Sequence, residues 1–478
     1  MNTSTLVQSF AIPTNRATKK LRFKKNGDAG RKIVVSSNWL PLFDFNAGEP
    51  VVEESLGVGK GIVIKRVYDL FDAPLKSKKV YYRNYKSRKN NPLETLLEVA
   101  SKKLINLSFP KNCKQAHVTF QKGCVTIVPV MTNLDKALEN ATPESRYEVF
   151  AACTSGVDLC SMENNGFSIS SVIEHRPCEA RDGKRDHSET GALSVLRNIK
   201  KRIKNLFNED ITHIDLDQIR EAVSQSPVTT FMASPQCDDF STVKSKSAKQ
   251  ASLENLSTTE DMMLDMLRVI EAVNPPVVCF EQVGGWYTSA AYRLLSIRLK
   301  RWGYTENLIV ADARDHGGLT SRKRGYAVFT CLDADFSFEA PVARRETPIW
   351  ELIEPYLSEC RDVTHSKSIQ DGAKCGRLRT ITKDSKHSPT FLKSQPRMAK
   401  DSVVISHEGR YLWPSEELQK MLMGIDPEYK TDAVSKDIGS EIIGQSIDGA
   451  LHDMVIRCVK NHIDNYFNSL EHPHAIAA

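Results

Sequence analysis

Reactive and charged side chains follow apolar runs in the second half of the chain. Cys237 comes after the turn Ser234-Pro235-Gln236, where a cysteine is a poor core residue and is placed to act as an exposed thiol. Glu281 directly follows another apolar run, and partial burial there would raise a carboxyl pKa so that the group can act as an acid. Arg322 and Arg324 are two residues apart and share one face of an extended segment. These groups predict nucleophilic attack on an electron-poor ring, with one group protonating a ring nitrogen and another holding a carbonyl oxygen.

A second set of positions follows the earlier apolar runs. The loop Cys153-Thr154-Ser155-Gly156 consists of small residues, which let backbone amides approach a ligand closely. Glu174 follows the next run, where a carboxylate can accept both hydroxyls of a ribose, and Asp210 follows later, just before Ile211. A loop and two acids in this order predict a site for an adenosine-containing cofactor. Each acid taken alone is more often a surface residue or a helix cap.

The elements that would position these residues begin at about residue 148. Apolar strand-like runs alternate there with amphipathic helical stretches, which predicts an α/β doubly wound domain with a largely parallel sheet covered on both faces. Ligands bind at the carboxyl ends of such strands. The predicted strands are residues 147–153, 170–173, 229–232, 277–280, 307–310 and 326–331, and the long helical patterns are residues 259–273 and 290–301.

The first third of the chain differs from the rest in charge. Residues 1–146 carry 25 Lys and Arg against 12 Asp and Glu, a balance of +13. The remaining residues carry 40 against 47, or −7, which gives the net charge of +6. A basic segment on a mildly acidic body predicts a polyanionic partner such as nucleic acid. A solvated, solubilising arm fits the same charge equally well.

Within this third we expect a basic, disordered arm over residues 1–32 and a small, mostly β module over residues 33–146 that contacts DNA. The turn Gln121-Lys122-Gly123 predicts a hairpin, and Asn91-Pro92 predicts the start of a helix that continues to about residue 100. Residues 81–89 interleave tyrosines with Lys and Arg, as nucleic-acid surfaces do. A strand with a solvated edge would look the same.

In order and spacing, the features from residue 150 to about residue 459 resemble the cytosine-C5 DNA methyltransferase family, whose catalytic domain has a Rossmann-like fold that binds S-adenosylmethionine. The likeness spans eight short motifs in one fixed order. They are the cofactor loop at residues 150–156, the ribose acid Glu174, the adenine-contacting acid Asp210, the nucleophile loop at residues 234–241, Glu281-Gln282-Val283, residues 320–324, residues 409–419 and Ile443-Gly444-Gln445-Ser446-Ile447.

Several positions depart from the family's motifs. Gln236 stands where a second proline usually precedes the cysteine, and Asp238 stands where a glutamine usually follows it. Glutamine replaces asparagine at Gln282 and Gln445, and Thr320 replaces a glutamine. The cofactor loop has lost most of its glycines and is about two residues longer. These changes bear on loop geometry and turnover rather than on the class of reaction.

The resemblance implies that a cytosine is flipped out of the duplex and receives a methyl group from S-adenosylmethionine at carbon 5. It implies that the Cys237 thiolate adds to carbon 6, that Glu281 acts on ring nitrogen N3, and that Arg324 holds the carbonyl oxygen. Arg322 is expected to brace the cysteine loop, and no metal is required. The cofactor-binding residues carried over are Phe150, Thr154, Gly156, Glu174, Asp210, Ile211 and Ser446.

The family comparison also implies how the rest of the chain is divided. Residues 147–331 correspond to the catalytic domain, and residues 332–405, rich in Lys, Arg, Ser and Thr, to a target-recognition domain that reads base edges. A connecting loop is the alternative for that interval. Residues 406–478 are expected to return to the catalytic domain, with a helix from Ser446 to about Leu470 beside the first strand.

Two other functions remain open. Some members of the family methylate a cytosine in transfer RNA, and a DNA-binding regulator on a degenerate methyltransferase scaffold would also show altered loops. The basic appendage and a separate recognition interval favour DNA, and the joint retention of Cys237, Glu281 and Arg324 favours an enzyme. Whether a cognate restriction enzyme exists is left open.

Composition indicates the expected location. No apolar run reaches the ~18 residues that a membrane helix needs, and the N-terminus lacks the apolar core of a signal peptide. Eleven cysteines form no Cys-x-x-Cys pair, which predicts reduced thiols and no metal site. We therefore expect a cytoplasmic, nucleoid-associated monomer that binds double-stranded DNA and no membrane.

Overall fold

The computed structural model describes residues 13, 15–27, 30–68, 77–87, 93–179, 182–241 and 244–471. The chain divides into two compact units, Met1–Asp135 and Lys136–Ala478. The division falls within a helix, Asn133–Asn140, shortly before the boundary at residue 146 that the sequence predicts.

The first unit is built mainly from antiparallel strands. Its helices are α1 (Lys102–Ser108), α2 (Asn133–Asn140), which spans the division, and the 3-10 helix Leu40–Phe43. Its strands are β1 (Ala17–Arg22), β2 (Lys24–Asn26), β3 (Gly30–Ser36), β4 (Pro50–Ser55), β5 (Ile62–Arg66), β6 (Lys78–Lys79), β7 (Tyr81–Asn84), β8 (Leu93–Val99), β9 (Gln115–Gln121) and β10 (Cys124–Val130).

These strands form two sheets, in the orders β1-β9-β10-β5-β4-β6 and β2-β3-β8-β7. Side chains from both sheets share one core, including Val35, Leu97, Val118 and Phe120. The predicted hairpin is confirmed, since β9 and β10 pair across the turn at residues 121–124. The first unit is therefore a mostly β module, as the sequence predicts.

Two local predictions in this unit are wrong. Residues 93–99 form strand β8 instead of a helix, because β3 and β7 pair with it on its two sides and Leu97 and Val99 enter the core; pairing and burial override the helix propensity of its leucines and glutamates. The arm that was predicted to be disordered contains strands β1 and β2, and β1 forms an antiparallel pair with β9. Residues 1–12, 14, 28–29 and 91–92 lie outside the described part.

The second unit contains the alternating strands and helices. Its strands are β11 (Glu148–Ala152), β12 (Ser168–Ile173), β13 (Asn205–Phe207), β14 (Thr230–Ala233), β15 (Val277–Gln282), β16 (Thr305–Asp312), β17 (Lys323–Thr330), β18 (Arg361–Asp362), β19 (Arg379–Ile381), β20 (Val403–His407) and β21 (Arg410–Trp413). Its helices are α3 (Val157–Asn164), α4 (Thr190–Asn198), α5 (Leu216–Gln225), α6 (Lys246–Glu254), α7 (Met262–Val273), α8 (Ala290–Arg301), α9 (Trp350–Ile353), α10 (Lys367–Lys374), α11 (Glu416–Leu422), α12 (Lys436–Gln445) and α13 (Gly449–Glu471), with 3-10 helices at Gly284–Thr288, Ala313–His316, Glu354–Glu359 and Gln395–Arg397.

The central sheet has seven strands in the order β13-β12-β11-β14-β15-β17-β16. The first five are parallel to their neighbours, whereas β17 is antiparallel to both β15 and β16. Alternate residues of β11 point to opposite faces, with Phe150 in one apolar cluster and Val149 in the other. Helices α5, α7 and α8 contribute to the first cluster, and α3 and α13 to the second. The predicted doubly wound α/β fold is confirmed.

The direction of β17 places Arg324 at the carboxyl edge of the parallel strands. Because β17 runs against β15, its first residues lie at the edge where the parallel strands end. Gln282, the last residue of β15, is paired with Gly325, so Arg324 comes beside the carboxyl end of β15. The sequence correctly predicts that these residues share one edge of the sheet, although here a strand begins instead of ending.

Residues 332–413 include a second, smaller sheet of the order β18-β21-β20-β19. It extends eight residues past the predicted limit at residue 405, to the end of β21. The last helix, α13, packs Leu451, Val455 and Val459 into the cluster that contains Val149 of β11, as predicted. Across the described ranges, no helix combines the length and apolar character that would let it span a membrane.

Candidate active site

A cavity of about 630 Å³ opens at the carboxyl edge of the central sheet. Segments that follow β11, β12, β13, β14 and β15 line it, together with the start of β17 and with residues of α12. The predicted site residues that the structure brings together here are Thr154, Glu174, Asp210, Ile211, Cys237, Glu281, Arg324 and Ser446.

One end of the cavity, which we call the base end, contains Cys237, Glu281 and Arg324. Glu281 lies within β15 and is mostly buried. The Arg324 Nε atom is 2.9 Å from the Glu281 Oε1 atom. Cys237 is partly exposed on the loop after β14. A thiol, a carboxyl group and a guanidinium group thus meet where three strand ends converge.

Burial sets the acid–base properties of this end. Burial raises the pKa of the Cys237 thiol, and Asp238 adds to the rise, whereas Arg324 and Arg322 oppose it. Burial also raises the pKa of the Glu281 carboxyl, against the lowering effect of Arg324 and Arg322. A raised carboxyl pKa keeps a larger share of Glu281 protonated near neutral pH, as a proton donor requires.

Gln282 holds the backbone of the nucleophile loop. Its Nε2 atom donates to the Pro235 carbonyl at 2.7 Å, and its Oε1 atom accepts from the Val283 amide at 2.7 Å. Gln282 is almost fully buried. The glutamine that departs from the family's asparagine therefore still connects the end of β15 to the turn before Cys237.

Asp239 is the hydrogen-bond centre of the loop after Cys237. Its carboxylate accepts from the Thr259 amide at 2.8 Å, from the Ser252 hydroxyl at 3.0 Å and from Lys244 Nζ at 2.6 Å. Burial alone would raise the pKa of Asp239, but these donors outweigh it and lower the pKa to about 2. One buried carboxylate thus ties the nucleophile loop to the following segment around α6.

The other end, which we call the cofactor end, is formed by the loop after β11. The Thr154 hydroxyl accepts from the Gly156 amide at 3.0 Å and donates to the buried Asp158 carboxylate. Cys153 adopts a left-handed backbone conformation with φ of 57°, which is uncommon for a residue with a side chain. The loop keeps a tight turn although it has few glycines.

A tyrosine from a distant segment supports this loop. The Tyr429 hydroxyl donates to the Ser155 carbonyl at 2.9 Å and lies 2.7 Å from the Ser194 hydroxyl. Tyr429 is almost fully buried. The cofactor end is therefore stabilised by a residue more than 270 positions away along the chain.

Glu174 lies at the end of β12 and is buried. Its carboxyl group packs against Gly191, where a Cβ atom would come within 2.1 Å of the Glu174 Oε1 atom. Burial, with a contribution from Asp158, raises the pKa of Glu174 to about 8. A buried acceptor that faces the cavity suits ligand hydroxyl groups, which would satisfy the carboxylate that burial disfavours.

Asp210 is the second acid at this end. Its carboxylate accepts from the Thr212 amide at 2.9 Å and from the Thr212 hydroxyl at 2.8 Å. Burial would raise the pKa of Asp210, but the bonds from Thr212 lower it below its usual range. The neighbouring Ile211 supplies an apolar wall of the cavity.

Three predicted site residues lie elsewhere. Phe150 is fully buried in the core, where it stacks between the rings of Phe207 and Phe231. Gly156 is the residue before α3, and it does not line the cavity. A Cβ atom on Gly156 would lie 3.2 Å from the Cα atom of Val195, so its role is close packing.

Arg322 is the third. It is fully buried and donates to the carbonyls of Phe391 at 3.1 Å, Gly444 at 3.3 Å and Gln445 at 3.0 Å. The expectation that Arg322 braces the cysteine loop is therefore wrong as regards its hydrogen bonds, which join the start of β17 to the end of α12. It still affects the site, because its positive charge lowers the pKa of Cys237. Burial lowers the pKa of the Arg322 guanidinium itself to about 9.

Sequence reasoning missed several positions that shape the cavity. Asp158, Gly191 and Tyr429 belong to none of the motifs that the sequence displays. Gly191 acts through close packing and Tyr429 through a partner distant in the chain. Asp239 lies within the nucleophile loop, but its bonds to Ser252 and Thr259 appear only in the structure. A buried glycine that packs against an acid, as Gly191 does against Glu174, can be identified only from the tertiary structure. In the part of the chain that is described, no group of three or more His, Cys, Asp or Glu is arranged to hold a metal ion.

Comparison with known proteins agrees with this architecture. Residues 189–405 match the family model described as C-5 cytosine-specific DNA methylase. The chain is 17% identical to the Entamoeba histolytica methyltransferase EhMeth, with a TM-score of 0.51 over 66% of this chain and 98% of that one. It is 16% identical to the S. pombe Dnmt2 methyltransferase, with a TM-score of 0.50 over 66% of this chain and 99% of that one.

At such identities the two structures show a common fold. No curated protein sequence matches the chain significantly. The match over residues 189–405 confirms the family that the motifs predict. Residues 189–405 therefore match a C-5 cytosine-specific DNA methylase domain, and the chain shares the fold of a solved methyltransferase.

Proposed function

We propose that the protein transfers a methyl group from S-adenosylmethionine to carbon 5 of a cytosine in double-stranded DNA, through a covalent adduct with Cys237. The observation that carries the proposal is the convergence of Cys237, Glu281 and Arg324 at one end of a cavity whose other end contains Glu174 and the loop after β11. A nucleophile and a methyl-donor site thus face one space.

The residues present at the cofactor end fit S-adenosylmethionine. Glu174 is a buried carboxyl group that accepts a hydrogen bond from the Thr154 backbone and whose pKa no cation lowers, so that ribose hydroxyls would supply further donors. Asp158 Oδ2 is a second buried acceptor without a described partner. Glu174 would hold the ribose, Asp210 and Ile211 the adenine, and Thr154 and Ser446 the remainder. When bound, the cofactor supplies an electrophilic methyl group.

At the base end the proposed chemistry begins with Cys237. Its thiol loses a proton, and the sulfur forms a bond to carbon 6 of the ring. The Glu281 carboxyl donates a proton to ring nitrogen N3, which accepts the displaced electron pair, and Arg324 stabilises the carbonyl oxygen. Carbon 5 becomes nucleophilic and accepts the methyl group. Solvent water then takes the proton from carbon 5, the carbon–sulfur bond breaks to release the Cys237 thiolate, and N3 returns its proton to Glu281, which restores the aromatic ring.

Cytosine carbon 6 is inaccessible within a stacked duplex, so the proposal includes base flipping into the cavity. The cavity of about 630 Å³ is of the size that small-molecule sites have. DNA is proposed over RNA because the matching family model is one of DNA methylases and because the first third of the chain carries a balance of +13. The small sheet β18–β21 would read the bases that flank the target.

Bisulfite sequencing of DNA from cells that express the protein tests the proposal. We expect 5-methylcytosine at one short motif with the unchanged chain and none with a Cys237→Ala variant. Cys375→Ala is the matched control, because Cys375 is exposed and lies outside the cavity, and it should leave methylation unchanged.

Purified protein with radiolabelled S-adenosylmethionine separates the alternatives. Label transferred to RNA and not to DNA would contradict the DNA assignment. Label transferred to neither, while the cofactor still binds, would favour a DNA-binding regulator on a methyltransferase scaffold. Trapping of the chain on DNA that contains 5-fluorocytosine would report the covalent step, since that ring cannot release its carbon-5 substituent.

A further inference from the structure

One dense group of positive charges in the first unit lies near the start of its chain. Residues 15–27 contain six Lys and Arg and no Asp or Glu, and all six side chains are exposed. Most lie on β1 and β2, which are edge strands of the two sheets. The cations are Arg16, Lys19, Lys20, Arg22, Lys24 and Lys25.

The acids of this unit are engaged elsewhere. Five salt bridges are described within it, and all involve cations beyond residue 30. They join Lys32 to Glu98, Lys65 to Glu54, Arg66 to Glu49, Lys78 to Glu53 and Lys122 to Asp44. Among the described residues, no carboxylate lies within 4.0 Å of a charged group on β1 or β2. The positive charge of these strands is therefore not neutralised within the unit.

Strand register extends this charge into a continuous surface. Lys20 is paired with His117, and Arg22 with Gln115. Because side chains on paired residues share a face, the outer face of β1 and β9 presents these four polar groups together with Thr18 and Thr119. The opposite face carries Ala116, Val118 and Phe120, which are buried in the core. We call the polar side the β1–β9 face.

We propose that the β1–β9 face binds the phosphate backbone of double-stranded DNA without reading its sequence. Two unneutralised cations beside neutral hydrogen-bonding groups suit phosphate oxygens, which accept bonds from Lys, Arg, Thr and Gln side chains. The choice of DNA among polyanions rests on the proposed function of the methylase domain. The face would supply affinity, and the domain would supply the chemistry.

Charged edge strands have another use, since lysines there prevent edge-to-edge pairing with other chains. Such protection requires charge on β1 alone. It does not require that β9, which is paired on both sides, also present a polar and acid-free outer row. That second row favours a ligand-binding face.

The test uses the full chain and a Lys20→Gln/Arg22→Gln variant. The probe is a labelled duplex of adenine–thymine pairs only, which offers no cytosine to the catalytic cavity. Binding is measured by fluorescence anisotropy over a range of salt concentrations. Each lost phosphate contact should reduce the slope of log affinity against log salt by about 1, so the variant should lose about 2. The loss of duplex affinity in the variant should be largest at low salt.

The matched control is Arg298→Gln/Arg301→Gln on α8, which removes two exposed cations from the other unit. It should keep the slope of the unchanged chain. Equal weakening in both variants would overturn the proposal, because overall charge would then account for the binding. Unchanged binding by the Lys20 and Arg22 variant would also overturn it and would leave edge protection as the role of these cations.

Two further measurements separate this proposal from the proposed function. With saturating cytosine-containing DNA, the Lys20 and Arg22 variant should retain the kcat for methyl transfer. The adenine–thymine probe reports binding even if the chain methylates nothing, so that failure of the catalytic proposal leaves this test valid. Tighter binding of the corresponding RNA duplex, lost in the same variant, would overturn the assignment to DNA.

Discussion

The two ends of the cavity are built in different ways. At the base end, Cys237, Glu281 and Arg324 come from three strand ends, and an ion pair of 2.9 Å joins two of them. At the cofactor end, one loop depends on its own backbone geometry, with Cys153 at a φ of 57°, and on Tyr429 from a distant segment.

This difference explains where the sequence has changed. Strand pairing fixes the base end, so Gln282 can replace an asparagine and still bind the Pro235 carbonyl. The cofactor end has lost glycines, and its turn is kept by bonds between Thr154, Gly156 and Asp158. Side chains that are positioned by paired strands tolerate substitutions nearby. A loop that has lost its glycines must instead hold its tight turn through specific hydrogen bonds.

The largest effect is expected at the base end. Glu281→Gln keeps the size of the side chain but cannot donate the proton to N3, so methyl transfer should fall about 10²- to 10⁴-fold while cofactor affinity is unchanged. Because burial raises the pKa of Glu281, the protonated form is lost as pH rises through that pKa. The ratio of the rates of the unchanged chain and the variant should therefore decline with rising pH.

Rates measured from acid to alkaline pH check this, with Glu221→Gln on the exposed face of α5 as the control. A ratio that does not vary with pH would mean that Glu281 acts as a hydrogen-bond acceptor instead of a proton donor.

At the cofactor end, Glu174→Gln should weaken S-adenosylmethionine binding about 10- to 100-fold, or ~1.5–3 kcal/mol for hydrogen bonds to a charged group. The kcat at saturating cofactor should change little. Because the pKa of Glu174 is raised to about 8, the carboxylate that accepts ribose hydroxyls forms as pH rises towards 8. Cofactor affinity of the unchanged chain should increase over this range and then level off.

Isothermal titration calorimetry in buffers of different ionisation enthalpy would measure the proton released on binding. The Glu174→Gln variant should release none from this site. The ligand-free chain offers a second readout: a folded pKa above the unfolded one stabilises the fold below the usual carboxyl pKa, and that stabilisation is lost as pH rises to about 8. An unaltered pH dependence in the variant would contradict the assignment.

A smaller effect is expected in the loop that connects the base end to α6. Asp239→Asn removes one of two acceptor oxygens, so the loop should loosen and kcat/KM should fall about tenfold by misplacing the thiol. Alkylation of Cys237, followed by peptide mass spectrometry, should become faster. Asp217→Asn, an exposed acid on α5, is the control. Slower turnover without faster alkylation would place the effect outside the loop.

The smallest effect is expected for Cys153→Gly. Glycine relieves the left-handed conformation but removes a packed side chain, so the free energy of unfolding should change by no more than ~1 kcal/mol. Cofactor affinity should change less than threefold. Gly156→Ala is the informative counterpart, because φ is 98° there and a Cβ atom would press on Val195. Denaturant titration should show clear destabilisation only for Gly156→Ala.

The sequence by itself determined six of the seven strands of the central sheet, all except β13, and the candidate residues at their ends. Alternating apolar runs depend on local periodicity, and for this reason Cys237, Glu281 and Glu174 could be placed at one edge before any contact was known. Motif order supported the family, and the match over residues 189–405 bears it out. The functions assigned to individual residues and the DNA substrate remain predictions.

Only the tertiary structure decided which neighbours are buried and what they contact. Phe150 and Arg322 look like site residues in sequence, yet Phe150 stacks in the core and Arg322 binds carbonyls of Phe391, Gly444 and Gln445. Strand β8 formed where a helix was predicted, because two partner strands outweighed local propensity. Burial and long-range hydrogen bonds depend on residues far apart in the chain, and periodicity contains no information about them.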